Sequence, residues 1–265
     1  VPTPINDNTS SYTFSSTEAG AITYGGSCSS SDNSSSVGNN TVTFNELADG
    51  TYDNCTIAVT DSLGHASSAL GVSAFTVDTT APTLLQITAV TTPTKDTTPS
   101  YVFASPEVGT ISYGGSCRSS TTSATAGLNT ITFNTLSEGS YSNCSITVTD
   151  SAGNASSALS VNTFVIDTTA PSLSPVTAVT TPTNDTTPSY VFSSTEAGTI
   201  SYGGCSQGET SAISGTNSIS FGTLSEGSYN CTITVTDSAG NASTALNVNT
   251  FVVDTTAPTI STVTS

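Results

Sequence analysis

Apolar and polar residues alternate over short runs along much of the chain. In the middle third, SYVFAS (100–105) and TISY (110–113) place apolar residues at every second position, as half-buried β-strands do. Turns rich in Gly, Pro, Asn and Ser separate these runs, and no stripe has the 3.6-residue period of a helix. The pattern predicts an all-β chain of short antiparallel strands. Further strands are predicted at 84–90, 130–133, 144–149 and 160–167, with LSEGSY as a turn.

The same pattern occurs three times. Tyr12, Tyr101 and Tyr190 are 89 residues apart, and a period of this length gives each copy the size of a small domain. Repeat 1 lacks the first strand that the other two repeats have. The predicted divisions are repeat 1 (1–80), repeat 2 (81–169), repeat 3 (170–256), and 257–265 as the first strand of a following repeat or subunit.

A tyrosine pattern indicates how the strands are arranged. Leu136, Gly139 and Tyr141 have the spacing of a tyrosine corner, in which a tyrosine at the start of the sixth strand of an immunoglobulin-like sandwich bonds back to the preceding turn. The pattern recurs at Tyr52 and Tyr229. The predicted fold class is therefore all-β, with three tandem immunoglobulin-like antiparallel β-sandwiches in a linear array.

Each repeat has two cysteines, 26 or 27 residues apart. An even number of cysteines at a repeated spacing predicts disulfides, and hence an oxidising, extracellular or cell-surface location. A zinc site would need four ligands, which one cysteine pair without a nearby histidine does not supply. The predicted pairs are Cys28–Cys55, Cys117–Cys144 and Cys205–Cys231.

The chain has 19 acidic residues and only two basic ones. Nucleic acid and anionic membrane surfaces are poor partners for this charge, and no run is long and apolar enough for membrane insertion. The acids serve solubility in one interpretation and cation binding in the other, because they recur in register near predicted loops. Catalysis is not indicated, since the single histidine, His65, has no counterpart in the other repeats.

The pentapeptide DTTAP follows the last predicted strand of each repeat, beginning at Asp78, Asp167 and Asp254. Its proline ends strand pairing and favours extended backbone before it, so the motif predicts a stiff junction between repeats. Together with the TxEAG turn, LSEGSY and TVTDSAGNAS, it resembles the tandem bacterial immunoglobulin-like repeats of giant secreted adhesins and biofilm proteins. The resemblance implies an extracellular structural stalk or filament with calcium ions bound between repeats.

The topology of such a sandwich also brings acids to each junction. The loops after the second and sixth strands share the end at which the chain enters, so their acids approach the DTTAP aspartate of the preceding repeat. Calcium takes about six to eight oxygen ligands, which such a cluster supplies in part; alternatively, the acids only cap turns and end strands. The predicted ligands are Asp78, Glu107, Asp150 and Asn154 at the first junction, Asp167, Glu196, Asp237 and Asn241 at the second, Asp254 with Glu18 and Asp61 of a following repeat or subunit, and Asp7, Asp96 and Asp185 for an additional ion.

The two ends of the sequence fit one another, because 257–265 placed before residues 1–12 reproduces the pattern of 170–190 without a gap. The favoured explanation is a window cut from a longer covalent array. The alternative is a pilus-like subunit that donates 258–265 as a strand to the next subunit. In both cases the predicted partners are further repeats or copies of this chain, head to tail.

Two other functions stay open. An adhesive module that binds a glycan or protein ligand would concentrate aromatic residues on one exposed face, whereas these tyrosines fall at repeated core or turn positions. An accessory domain of an enzyme would need a catalytic neighbour.

Overall fold

The computed structural model of the protein describes residues 1, 3–205 and 208–263. These residues form strands, turns and extended loops without a helix, so the described chain has no helix that could span a membrane. The predicted all-β class is confirmed.

The strands follow one another in the same order in each repeat. Repeat 1 contains β1 (Ser11–Ser16), β2 (Gly20–Gly25), β3 (Ser34–Ser35), β4 (Gly38–Thr43), β5 (Gly50–Tyr52), β6 (Thr56–Thr60), β7 (Leu70–Gly71) and β8 (Phe75–Val77). Repeat 2 contains β9 (Leu85–Thr88), β10 (Ser100–Ser105), β11 (Gly109–Gly114), β12 (Ser123–Ala124), β13 (Gly127–Thr132), β14 (Gly139–Tyr141), β15 (Ser145–Thr149), β16 (Leu159–Ser160) and β17 (Phe164–Ile166). Repeat 3 contains β18 (Leu173–Thr177), β19 (Ser189–Ser194), β20 (Gly198–Gly203), β21 (Ser211–Ala212), β22 (Gly215–Ser220), β23 (Gly227–Tyr229), β24 (Thr232–Thr236), β25 (Leu246–Asn247) and β26 (Phe251–Val253).

Strand pairing is antiparallel and has the same pattern in each repeat. In repeat 3 the sheets have the orders β18-β19-β22, β21-β20-β24-β25 and β23-β26. A single parallel bridge from Thr183 to Val253 adds a segment beside β26. Repeat 1 has the same sheets without a counterpart of β18. Antiparallel sheets enclosing one apolar layer are the arrangement of an immunoglobulin-like sandwich, as predicted.

The described residues form two compact units. Repeat 1 lies in the first unit and repeat 3 in the second, while the division passes through repeat 2. The repeat boundaries therefore stay a prediction. The first unit comprises Val1–Val90, Ser100–Asn134 and Asn143–Asn162, and the second comprises Thr91–Pro99, Thr135–Ser142 and Thr163–Ser265.

Each unit has a core of aromatic and branched residues taken from alternate strand positions. In repeat 3, Tyr190 and Phe192 of β19 are fully buried, and Val191 between them is half-buried. Phe251 stacks against Phe221 with ring centroids 5.9 Å apart. The same packing occurs in repeat 1, where Phe44 stacks against Phe75 with ring centroids 6.1 Å apart. The period-two pattern in the sequence thus selects the buried face of each strand.

Two predicted details of repeat 2 differ from the structure. LSEGSY is not only a turn, because β14 occupies its last three residues. The predicted strand 160–167 is two strands, since β16 pairs with β15 whereas β17 pairs with β14. The chain changes sheet between them, which alternation of apolar residues alone does not reveal. Residues 257–263 form no strand, and 264–265 lie outside the described residues.

The predicted disulfides and tyrosine corners are confirmed. The three cysteine pairs are bonded, with Cα atoms 5.3–5.4 Å apart. The hydroxyl of Tyr141 donates to the carbonyl oxygen of Ser137 at 2.9 Å, and the equivalent bonds of Tyr52 and Tyr229 are both 2.8 Å long. The tyrosine ends β5, β14 or β23 instead of starting the next strand, and the second cysteine directly precedes β6, β15 or β24. The two features therefore fix the link between these strands.

One buried hydroxyl distinguishes repeat 3 from repeat 2. Tyr101 donates to Gln86 Oε1 at 3.1 Å. Tyr190 occupies the same position in repeat 3, but Pro175 stands where Gln86 would be, and within the described residues its hydroxyl has no partner. A buried polar group without a hydrogen bond is destabilising.

We predict that Tyr190→Phe stabilises the protein by about 1 kcal/mol, because it removes an unsatisfied hydroxyl. The matched variant Tyr101→Phe breaks an existing bond and destabilises by about the same amount. Urea denaturation of both variants checks the prediction. Equal effects of the two substitutions would contradict it.

Candidate cation-binding junctions

The DTTAP aspartate is fixed by three hydrogen bonds at each junction. Asp167 follows β17 directly, and its N–H donates to the carbonyl oxygen of Thr94 at 2.9 Å. Its Oδ1 accepts from the N–H of Thr169 at 3.1 Å, and its carbonyl oxygen accepts from Asn241 Nδ2 at 2.8 Å. Asp78 has the three equivalent bonds at 2.9, 3.2 and 2.8 Å. The backbone before and after the aspartate is therefore positioned before any ligand binds.

The turn that follows β15 wraps around its first residue, Asp150. Asp150 Oδ1 accepts from the N–H groups of Ala152, Gly153 and Asn154 at 2.8, 2.8 and 2.9 Å. Its Oδ2 accepts from Asn154 Nδ2 at 2.9 Å. Gly153 has φ 98°, a conformation that favours glycine. Asp237 occupies the equivalent turn of repeat 3.

A second turn supplies the glutamate of each junction. Ser194 Oγ donates to the carbonyl oxygen of Glu196 at 2.6 Å and accepts from its N–H at 3.3 Å. At Gly198, a Cβ atom would collide with the carbonyl oxygen of Thr236, the residue before Asp237. Only glycine therefore lets β20 begin this close to the end of β24, and the close approach brings Glu196 near Asp237.

These elements bring six of the predicted ligands into two groups. Asp78, Glu107 and Asp150 form the first acidic cluster, within the first unit. Asp167, Glu196 and Asp237 form the second acidic cluster, within the second unit. In each cluster, one carboxylate oxygen from every residue lies within 4.8 Å of the others. In the part of the chain that the structure describes, no lysine or arginine forms an ion pair with either cluster.

Within each cluster, the pKa of the glutamate and the pKa of the turn aspartate are shifted in opposite directions. Burial raises the pKa of Glu196, and the charges of Asp167, Asp237 and Glu138 raise it further. Burial alone would also raise the pKa of Asp237, but hydrogen bonds from the Asn241 side chain and the turn backbone outweigh it, so this pKa is lowered. Glu107 and Asp150 show the same contrast. Burial first, and the neighbouring negative charges second, therefore disfavour the ionised form of the glutamate in each cluster.

The two asparagines have a different arrangement from the one expected. The sequence predicts that Asn154 and Asn241 offer their amide oxygens to an ion. In the structure their Nδ2 atoms donate to the turn carboxylate and to the carbonyl oxygen of the junction aspartate. They tie the end of one repeat to a turn of the next, and a role as oxygen ligands stays a prediction.

The remaining predicted ligands are not gathered into a three-carboxylate group among the described residues. Glu18 and Asp61 line one pocket, where Asp61 Oδ2 lies 2.9 Å from His65 Nδ1. Asp254 has two of the three hydrogen bonds of its counterparts: its N–H donates to the carbonyl oxygen of Thr183 at 2.8 Å, and its Oδ1 accepts from the N–H of Thr256 at 3.0 Å. The other three each accept hydrogen bonds from a threonine two residues ahead, which caps the local loop: Asp7, Asp96 and Asp185.

The predicted ligand sets omit one further acid beside each DTTAP copy, which is the fourth acid at each of the two clusters. Glu138 Oε2 accepts from the hydroxyls of Thr168 and Thr169 at 2.9 and 2.7 Å, and these bonds lower the pKa of Glu138. Asp49 and Glu226 bind the threonines of the other DTTAP copies in the same way. The signal was present, because LADG and LSEG place an acid in register in all three repeats. We call this arrangement, in which one acid accepts hydrogen bonds from both DTTAP threonines, the acid–threonine clamp. It explains why two threonines follow the junction aspartate.

One part of the chain matches a known family model. Residues 170–255 match the family model described as "Bacterial Ig-like domain". No curated protein matches the chain. The fibronectin(III)-like modules of Clostridium thermocellum CbhA are 13% identical, with a TM-score of 0.38 over 64% of this chain and 94% of that one. The dimeric latent PorU of Porphyromonas gingivalis is also 13% identical, with a TM-score of 0.25 over 86% of this chain and 26% of that one.

We predict that Asn241→Ala destabilises the second unit by about 1–3 kcal/mol, because a buried acceptor on Asp237 and a half-buried one on Asp167 lose their donor. The control is Asn247→Ala, on an exposed position of β25. Urea denaturation measures both. A loss no larger than that of the control would show that the asparagine does not tie the junction.

Proposed function

Because residues 170–255 form a bacterial immunoglobulin-like domain and repeats 1 and 2 share its motifs, we propose that this chain serves as an extracellular structural stalk or filament with calcium-stiffened junctions. One observation supports the proposal most. At two junctions, the DTTAP aspartate meets two acids of the following repeat, with oxygen atoms within 4.8 Å of one another.

The spacing of these oxygens suits a calcium ion. Oxygen ligands bound at about 2.4 Å lie at most ~4.8 Å from one another, which is the separation already present in each cluster. Calcium accepts flexible geometry and bidentate carboxylates, and water completes its shell, whereas magnesium demands a nearly ideal octahedron. Three carboxylates are hard oxygen ligands that suit calcium better than a softer metal.

Charge repulsion gives the cation its effect on the junction. Two charges 4 Å apart interact by about 1 kcal/mol in water and ~4 kcal/mol at an effective dielectric constant of 20. Without a cation, this repulsion pushes Asp167 away from Glu196 and Asp237. With a cation, the same carboxylates become attached to one centre, so the end of repeat 2 is linked to two turns of repeat 3.

The disulfides support the proposed location outside the cell. Three of them in one chain are characteristic of oxidising compartments. Extracellular calcium is also abundant enough to occupy sites of modest affinity, as extracellular modules do at about 10⁻⁴–10⁻³ M. We place the protein at the cell surface or in an extracellular matrix, with a role in cell adhesion or biofilm structure.

Further repeats or copies of the chain, joined head to tail, are the proposed partners. Asp254 keeps two of the three hydrogen bonds of Asp78 and Asp167, and Glu226 accepts hydrogen bonds from the two threonines that follow it. A junction built in this way would accept the acids of another repeat, or Glu18 and Asp61 of another copy.

We predict that Glu196→Gln has opposite effects with and without calcium. The folded-state pKa of Glu196 is raised, so its ionisation costs stability as pH rises through the usual glutamate pKa, and at neutral pH the full cost is present. In a chelator, the variant should therefore unfold at a higher temperature than the wild type. In calcium, the wild type should gain about 2.7 kcal/mol at 100 times Kd, and the variant should gain less.

Differential scanning calorimetry in both conditions measures the unfolding temperatures of the two proteins and the gain that each receives from calcium. The control is Asp53→Asn, at an exposed acid outside both clusters, for which the calcium response should equal that of the wild type. A wild-type midpoint that does not respond to calcium would contradict the proposal.

A further inference from the structure

Lys95, one of the two basic residues of the chain, lies against the second junction. Its Nζ donates to the carbonyl oxygen of Gly240 at 2.7 Å, across 145 residues of sequence. Gly240 belongs to the turn that wraps around Asp237, and its own N–H donates to the carbonyl oxygen of Asp237 at 3.3 Å. The ammonium group therefore lies within roughly one Debye length, ~10 Å at 0.1 M salt, of the second acidic cluster.

The first junction has a neutral residue in this place. Asn6 is the counterpart of Lys95 in repeat 1, since both precede the loop aspartate of their repeat. The amide nitrogen of Asn6 lies 3.4 Å from where a Cβ of Gly153 would be, in the first-junction turn, and Lys95 Nζ lies 3.7 Å from the equivalent point at Gly240. The same position thus faces the same turn at both junctions, with a positive charge at only one of them.

We propose that Lys95 is a specificity-determining residue that makes the two junctions unequal, so that the second acidic cluster binds calcium more weakly than the first. The inference rests on the proposed function, because it concerns the affinity of the same sites. Lys95 neutralises part of the charge that attracts a divalent ion, and its hydrogen bond holds the turn when no ion is bound. The first junction has neither effect and depends more strongly on calcium.

The expected difference in affinity is moderate. A single positive charge several ångströms from a divalent ion, in a solvent-exposed setting, lowers affinity by about three- to tenfold at low ionic strength, and salt reduces the effect. The difference should therefore shrink between about 20 mM and 500 mM sodium chloride, which a purely steric effect of the lysine would not do.

The test uses the full chain with one cluster disabled at a time. Asp237→Asn leaves the first cluster, and Asp150→Asn leaves the second. Competition with a chromophoric calcium chelator gives the Kd of each remaining site, and the first should be the tighter. Lys95→Asn, added to the Asp150→Asn chain, should tighten binding about three- to tenfold. Lys95→Arg keeps the charge and should change it less than twofold.

A reciprocal substitution completes the design. Asn6→Lys, added to the Asp237→Asn chain, should weaken calcium binding at the first cluster. The factor should be about the same as that by which Lys95→Asn tightens binding at the second cluster. Equal affinities at the two sites, or unchanged binding in Lys95→Asn, would overturn this inference and leave the proposed function intact. A wild-type chain that binds no calcium would overturn both.

Discussion

At both junctions an asparagine side chain bonds two groups that come from different repeats. Asn241 donates to the carbonyl oxygen of Asp167 and to the carboxylate of Asp237, and Asn154 does the same for Asp78 and Asp150. These bonds hold negatively charged side chains closer together than their charges favour. Burial raises the pKa of Glu196, and the nearby charges of Asp167 and Asp237 raise it further. Every functional inference depends on this constraint, because without it the acids would be ordinary solvated side chains.

The rest of the sandwich serves to keep these turns in place. Gly198 lets β20 approach the end of β24, so the glutamate and aspartate turns lie side by side. The acid–threonine clamp, as at Glu138, orders the two residues after the junction aspartate. The disulfide and the tyrosine corner lie just before β6, β15 or β24, and the aspartate turn follows the other end of the same strand. A small sandwich buries a limited core, and these covalent and polar contacts supplement it.

Local patterns in the sequence predicted most of the fold. Alternation identified the long strands, and repeated spacing identified the cysteine pairs and tyrosine corners, because each depends on neighbours within one repeat. Contacts between distant residues were not predictable in the same way. The amide of Asn241 carries both a donor and an acceptor, so sequence alone could not tell which group faces the junction. Pro175 leaves Tyr190 without the partner that Gln86 gives Tyr101, and only the register of β18 reveals it.

The central claim is that each acidic cluster binds one divalent cation, and counting bound ions tests it most directly. Equilibrium dialysis of the full chain against radioactive calcium, in about 0.1 M salt to limit non-specific attraction, measures the number bound. Because the described residues contain two such clusters, we expect two saturable ions per chain, one of which is lost in Asp150→Asn and the other in Asp237→Asn. Binding that does not saturate, or that is the same in both variants as in the wild type, would contradict the account.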